Sequence, residues 1–160
     1  MYPAQRKMAD MLAQIHPGTA DYRRDMTRAL LFSAYMKRKS NFILTYTERD
    51  RIPGEELFAA ILEMTAFLDD GGISSTAERE RADYAFPDAL KLFDSFGQLL
   101  DALLPDIQRM MVFLRRDGLQ MTADCAALNV QPETPLPVTV DSQEGLMFLT
   151  VQLPEGGGAA

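Results

Sequence analysis

"PDALKLFDSFGQLLDALLPDIQRMMVFLRRDGLQMTADC", residues 87–125, changes its hydrophobic period halfway along. In the first half Ala89, Leu92, Phe93, Phe96, Leu99, Leu100 and Leu103 fall at three-and-four spacing, predicting a helix with one wide apolar face. Pro105 ends it. From Arg109 the pattern alternates, and Asp117-Gly118 stands between two apolar runs as a hairpin turn signal. A helix with so broad an apolar face, followed at once by a hairpin, points to α+β architecture with the helix packed on a small sheet.

Downstream, the proline-punctuated "QPETPLP" leads to "VTVDSQEGLMFLTVQLP", a second hairpin turning near Gly145, and the tail "EGGGAA" is too poor in side chains to pack. Immediately upstream, "ISSTAERERADYAF" is polar, with room for one edge strand. The first half of the chain reads as helices. In "MADMLAQI" Met8, Met11, Leu12 and Ile15 share a face, and "HPGT" breaks the pattern. Asp21 is placed to cap a second helix over 22–45. Its segment "ALLFSAYM" is apolar nearly all round, which asks for partners on two sides, as in a bundle or a dimer seam. "RDRIPGEEL" starts a third helix, with Pro53 in its first turn and Glu55 and Glu56 complementing the dipole. Leu57, Phe58, Ile61, Leu62, Thr65 and Leu68 continue a buried stripe until Gly71 or Gly72 closes it. The short connection makes the second and third helices an antiparallel hairpin. The expected organisation is a helical dimerisation region over 1–72 and an α/β sandwich over 73–160, without internal repeats.

Composition narrows the functional classes. The chain has 160 residues, 47% hydrophobic, with a formal charge of −7 that argues against general nucleic-acid binding. It has no apolar run of about eighteen residues, the length that would suggest a span, and its amphipathic start is unlike a signal peptide. One cysteine, Cys125, excludes an internal disulfide and reads as a small buried residue. With His16 as the single histidine, a structural zinc site lacks ligands. These features suit a cytoplasmic protein.

The order of elements, carried by "AYMKRKSNFIL", "PGEELFAAILEMTAFLDDGGI", the 87–125 stretch and "PVTVDSQEGLMFLTVQLPEGG", resembles the C-terminal cytoplasmic region of a bacterial sensor histidine kinase. The resemblance implies a dimerising helical hairpin joined to an ATP-binding sandwich, a homodimer, and a response-regulator receiver domain as partner. It also implies a chain that can be the cytoplasmic piece of a longer receptor. Where such kinases carry a Glu and, four residues on, a metal-binding Asn, this chain has Gly97 and Asp101. Where an Asp meets adenine, it has Asp124, but Cys125, Ala126 and Ala127 replace the spaced glycines that follow. About ten residues stand where a long nucleotide lid is expected. In the phosphoacceptor region lie Lys37, Arg38 and Lys39, and His16 lies outside that helix.

The resemblance therefore implies a degenerate, lidless ATPase-like sandwich with Asp101 and Asp124 as vestigial nucleotide ligands, no catalytic residue and no cofactor. ATP and Mg²⁺ enter only if the pocket is rearranged, with Asp101 on the metal and Asp124 on adenine. A phosphotransferase using His16 is a further alternative. For each residue a plainer role stays open: Asp124 as a turn carboxylate bonding its own backbone, Asp101 as a solvated charge. Arg28, Lys37, Arg38 and Lys39, with Arg23 and Arg24, form either a docking stripe for an acidic partner or a solvated face paired with glutamates of the neighbouring hairpin arm, including Glu55 and Glu56. Asn41 is placed to set register with a symmetry mate.

Overall fold

The structure, a computed structural model, describes residues 3–13, 15, 21–125, 128 and 131–154. His16, Ala126, Ala127 and the tail lie outside the described residues.

Helix α1 (Pro3–Ala13) buries Met11, whereas Leu12 is half exposed. Helix α2 (Tyr22–Tyr46) runs one residue past the expected end, and Asp21 holds the N-cap position without a side-chain cap bond. After it, strand β1 (Arg51–Pro53) precedes helix α3 (Gly54–Asp70). Pro53 is thus the N-cap rather than a residue of the first turn. Gly71 is the C-cap, and Gly72 at φ 86° makes the left-handed exit.

The polar stretch after α3 forms two strands, where one was expected. These are β2 (Ser74–Arg79) and β3 (Asp83–Ala85), and β3 pairs antiparallel with β1. That ribbon ties the loop of the helical hairpin to the start of helix α4 (Phe86–Leu103). Ile52 and Tyr84 are buried in it, the Asp83 carboxylate accepts the Gly54 N–H at 3.1 Å, and the Tyr84 hydroxyl donates to the Arg115 carbonyl at 2.6 Å. The first amide of α3, an orphan donor by helix geometry, is therefore capped by a residue from a distant strand. Burial raises the Tyr84 pKa to about 12, with Glu80 adding to the shift.

Strands β4 (Arg109–Arg115), β5 (Gly118–Ala123), β6 (Val138–Gln143) and β7 (Leu146–Gln152) complete a five-stranded sheet in the order β2-β4-β5-β7-β6. Only the β2–β4 pair is parallel. Alternation puts Met110, Val112, Leu114, Leu119, Met121, Ala123, Met147, Leu149 and Val151 on one buried face. The core is continuous from this face through α4 to α3 and α2, across residue 72. Phe93 of α4 meets the rings of Tyr35 and Phe42 of α2 at centroid distances of 5.3 and 5.6 Å. The second apolar side of α2 is thus partly spent on α4, and Leu30 and Leu44 remain exposed on it. Among the described residues no helix is long and apolar enough to cross a membrane.

Candidate functional site

Asp101 sits in the last turn of α4 and faces α2. Its carboxylate takes two hydrogen bonds from Arg28, at 2.7 Å from Nε and 3.2 Å from Nη2. The side chains keep 40% and 33% of their exposure, so this is a partly wet pair. The bond to Asp101 raises the Arg28 pKa despite the opposing cost of burial. One turn earlier on α2, Arg24 donates from Nη1 to the carbonyls of Leu104 at 2.7 Å and Ile107 at 2.8 Å. These lie at and just beyond the C-terminus of α4, where carbonyls have no partner within the helix. Arg24 and Arg28 together fasten the start of α2 to the end of α4. The groove beside them, of about 830 Å³, is lined by Asp21, Asp25, Pro132 and Glu133 as well.

Asp124 lies just past β5. Its Oδ1 accepts the N–H of Gln108 at 2.9 Å and of Arg109 at 3.0 Å, and its own N–H reaches the Arg109 carbonyl at 3.4 Å. The carboxylate therefore clasps the open end of the β4–β5 hairpin. The two candidate nucleotide ligands have separate partners: Asp101 holds a helix on α4's flank, and Asp124 holds backbone at the start of β4. Between α4 and the end of β5, Leu99, Cys125 and Leu136 are buried. An open groove of about 380 Å³ nearby is lined by Leu99, Leu128, Leu136, Val138, Val140 and the prolines of the 131–137 loop, and its described lining includes no charged side chain. Among the described residues no group of three His, Cys, Asp or Glu side chains could hold a metal ion.

Two basic residues of α2 pair with a glutamate of the neighbouring arm, through Glu63 of α3 rather than Glu55 or Glu56. Lys37 Nζ lies 2.7 Å from Glu63 Oε1, and Arg38 Nε donates to Glu63 Oε2. Glu63 stands below the usual carboxylate range, chiefly because Lys37 bonds its charged form. Lys39 Nζ reaches both oxygens of Asp94, at 3.0 and 3.1 Å. The Tyr35 hydroxyl donates to the same carboxylate, and burial, reinforced by Asp94, pushes the phenol's pKa well above its ordinary value. Lys37 is the most open of these cations, its side chain 60% exposed. Asn41 is exposed.

Tyr35, Asp94 and Glu63 were not singled out in the sequence, and Arg24 was read only as part of the basic stripe. A signal for Tyr35 and for the role of Arg24 was present: residues 24, 28, 35 and 39 share one helix face, the one turned to α4.

No protein-family profile and no curated protein sequence matches the chain. Solved structures do. The histidine kinase domain of a blue-light-activated histidine kinase from Erythrobacter litoralis superposes with a TM-score of 0.52 at 10% identity, covering 98% of this chain and 97% of that one. A bacterial phosphotransferase gives 0.50 at 11% identity, covering 93% and 88%. The likeness is one of fold: among the described residues, four helices and a mixed five-stranded sheet, in the α+β arrangement of a histidine kinase domain.

Proposed function

We propose that this chain is a two-component signalling protein with a histidine-kinase fold, lacking ATP binding and a phosphoacceptor histidine on α2, and acting as a dimeric signalling or scaffolding module in the cytoplasm. The observation that carries this is the fate of its two candidate nucleotide ligands: Asp101 is engaged bidentately by Arg28, and Asp124 by the amides of Gln108 and Arg109 at the start of β4. A carboxylate that already satisfies the chain's own donors would have to give up those hydrogen bonds, partly buried at Asp101 and exposed at Asp124, to receive Mg²⁺ or adenine. The dimer is supported by exposed Leu30, Leu44 and Leu62 on the helical hairpin. In light scattering the chain is expected at twice its monomer mass, and Leu44→Glu together with Leu62→Glu is expected to halve it.

Docking of an acidic receiver domain onto Arg28, Lys37, Arg38 and Lys39 belongs to the same proposal. All four are paired within the chain, but partly exposed pairs of this kind contribute only about 0–1 kcal/mol, so a partner's carboxylates can compete for them. With Mg²⁺ and γ-labelled ATP the chain is expected to retain no label. Stable labelling would defeat the scaffold reading and favour an active kinase with a divergent pocket.

The likeness to a bacterial phosphotransferase favours one other reading, a phosphoryl relay through His16. Label passed to the chain from a phosphorylated receiver, and lost in His16→Ala, would establish that alternative.

A further inference from the structure

The two edges of the sheet are finished differently. At the β2 edge, Ser75 turns away from β4, its N–H donates to Asp69 Oδ1 at 2.9 Å, and its hydroxyl donates to the Thr65 carbonyl at 2.9 Å. Helix α3 thus occupies the start of that edge. At the other edge, β6 has β7 on one side and, among the described residues, no strand on the other. The Gln152 N–H donates to the Pro137 carbonyl at 3.2 Å, which fixes the alternation of the ladder. Odd-numbered residues of β6 bond to β7, and the N–H and C=O of Val138 and Val140 turn to the open edge. Natural edge strands are guarded by charged side chains, above all lysine, by proline or by a bulge, and β6 (VTVDSQ) carries a single charge, Asp141, with no lysine and no proline.

Beside this edge lies the apolar groove of about 380 Å³ between Leu99 of α4 and the 131–137 loop. The side chains of Val138 and Val140 stand opposite Val151 and Leu149, on the helix-covered face, and line the groove. A strand added to β6 would direct alternate side chains into it. Backbone groups for a ladder and an apolar slot for every second side chain are the two components of peptide capture by strand addition.

We infer that the β6 edge is a docking site for an extended segment of a partner protein, with aliphatic side chains at alternate positions and basic residues at its ends. The charge preference follows from Glu133, Asp141 and Glu144, all exposed around the site, and from the net charge of −7. Antiparallel addition is the favoured register, because it sets the incoming aliphatic residues opposite Val138 and Val140 in hydrogen-bonded pairs. The inference is independent of the dimer and of nucleotide binding.

The test uses the full chain and a fluorescein-labelled peptide, Lys-Thr-Val-Thr-Val-Thr-Lys, followed by polarisation. Binding in the tens of micromolar is expected. Val140→Pro removes an N–H that points away from β7, a placement an edge strand tolerates, and it should weaken binding roughly tenfold or more at an unchanged melting temperature. N-methylation of the peptide's two valines should abolish binding, while methylation of the central threonine should not. That arm stands even if the proline variant fails to fold. Absence of binding at millimolar peptide, or indifference to valine methylation, would overturn the proposal. So would self-association of the chain abolished by Val140→Pro, because a second copy would then be the occupant.

Discussion

Asp124 bonds backbone at the open end of the β4–β5 hairpin, the plainer of the two roles the sequence left open beside a vestigial nucleotide ligand. Its Oδ1 satisfies the amides of Gln108 and Arg109, so Asp124→Ala strands two donors at the start of β4. Both amides are exposed and can turn to water, so a loss of about 0.5–1.5 kcal/mol is expected in urea unfolding, and Asp124→Asn, which keeps an acceptor oxygen, should recover part of it. Glu63 supplies a pH signature. Its folded pKa is lowered, chiefly by Lys37, so its contribution is full above the ordinary carboxylate pKa of about 4.3 and is lost as pH falls through the lowered folded value. Wild-type stability should therefore fall more steeply below about pH 4.3 than that of Glu63→Gln, in melts recorded across acid pH. The effect is modest, because the pair is solvent-screened.

Among the elements, the two hairpins differ in how their turns are built. In β4–β5 the register pairs Arg115 with Gly118, so Arg116 and Asp117 are the turn, and neither has positive φ. Gly118 lies within β5 for a different reason from the one its turn signal suggested: a Cβ there would meet the Val151 carbonyl oxygen at 2.0 Å. In β6–β7 the turn is Glu144-Gly145, at φ 52° and 80°, where a glutamate holds a left-handed conformation that suits Asn or Gly. Glu144→Asn should raise stability by about 0.5–1 kcal/mol, with β6 otherwise unchanged; a destabilised variant would show that Glu144 has a role beyond the turn. Long periodic elements such as α4 were legible because seven apolar residues repeat at one spacing. Strands β1 and β3 were not: three residues carry no period, and their pairing is fixed by contacts 32 positions apart, such as Arg51 Nη2 to the Asp83 carbonyl.

At the scale of the molecule, the order of helical hairpin, long helix and two strand hairpins was readable from the sequence, and with it the fold class. The way the two halves meet was not. Complementary charges 73 residues apart, Arg28 and Asp101, become partners only when α2 lies along α4, and the Tyr35–Phe93 stack depends on the same docking. Sequence therefore identified Asp101 and Asp124 as residues to watch, while their present partners emerged only from the packing. In this histidine-kinase-like fold both carboxylates bond groups of the chain itself, Asp101 with Arg28 of α2 and Asp124 with backbone at the start of β4. Isothermal titration of the full chain with ATP and Mg²⁺ tests this most directly. Titration without binding heat up to millimolar nucleotide is expected, while saturable micromolar binding weakened by both Asp101→Asn and Asp124→Asn would contradict it.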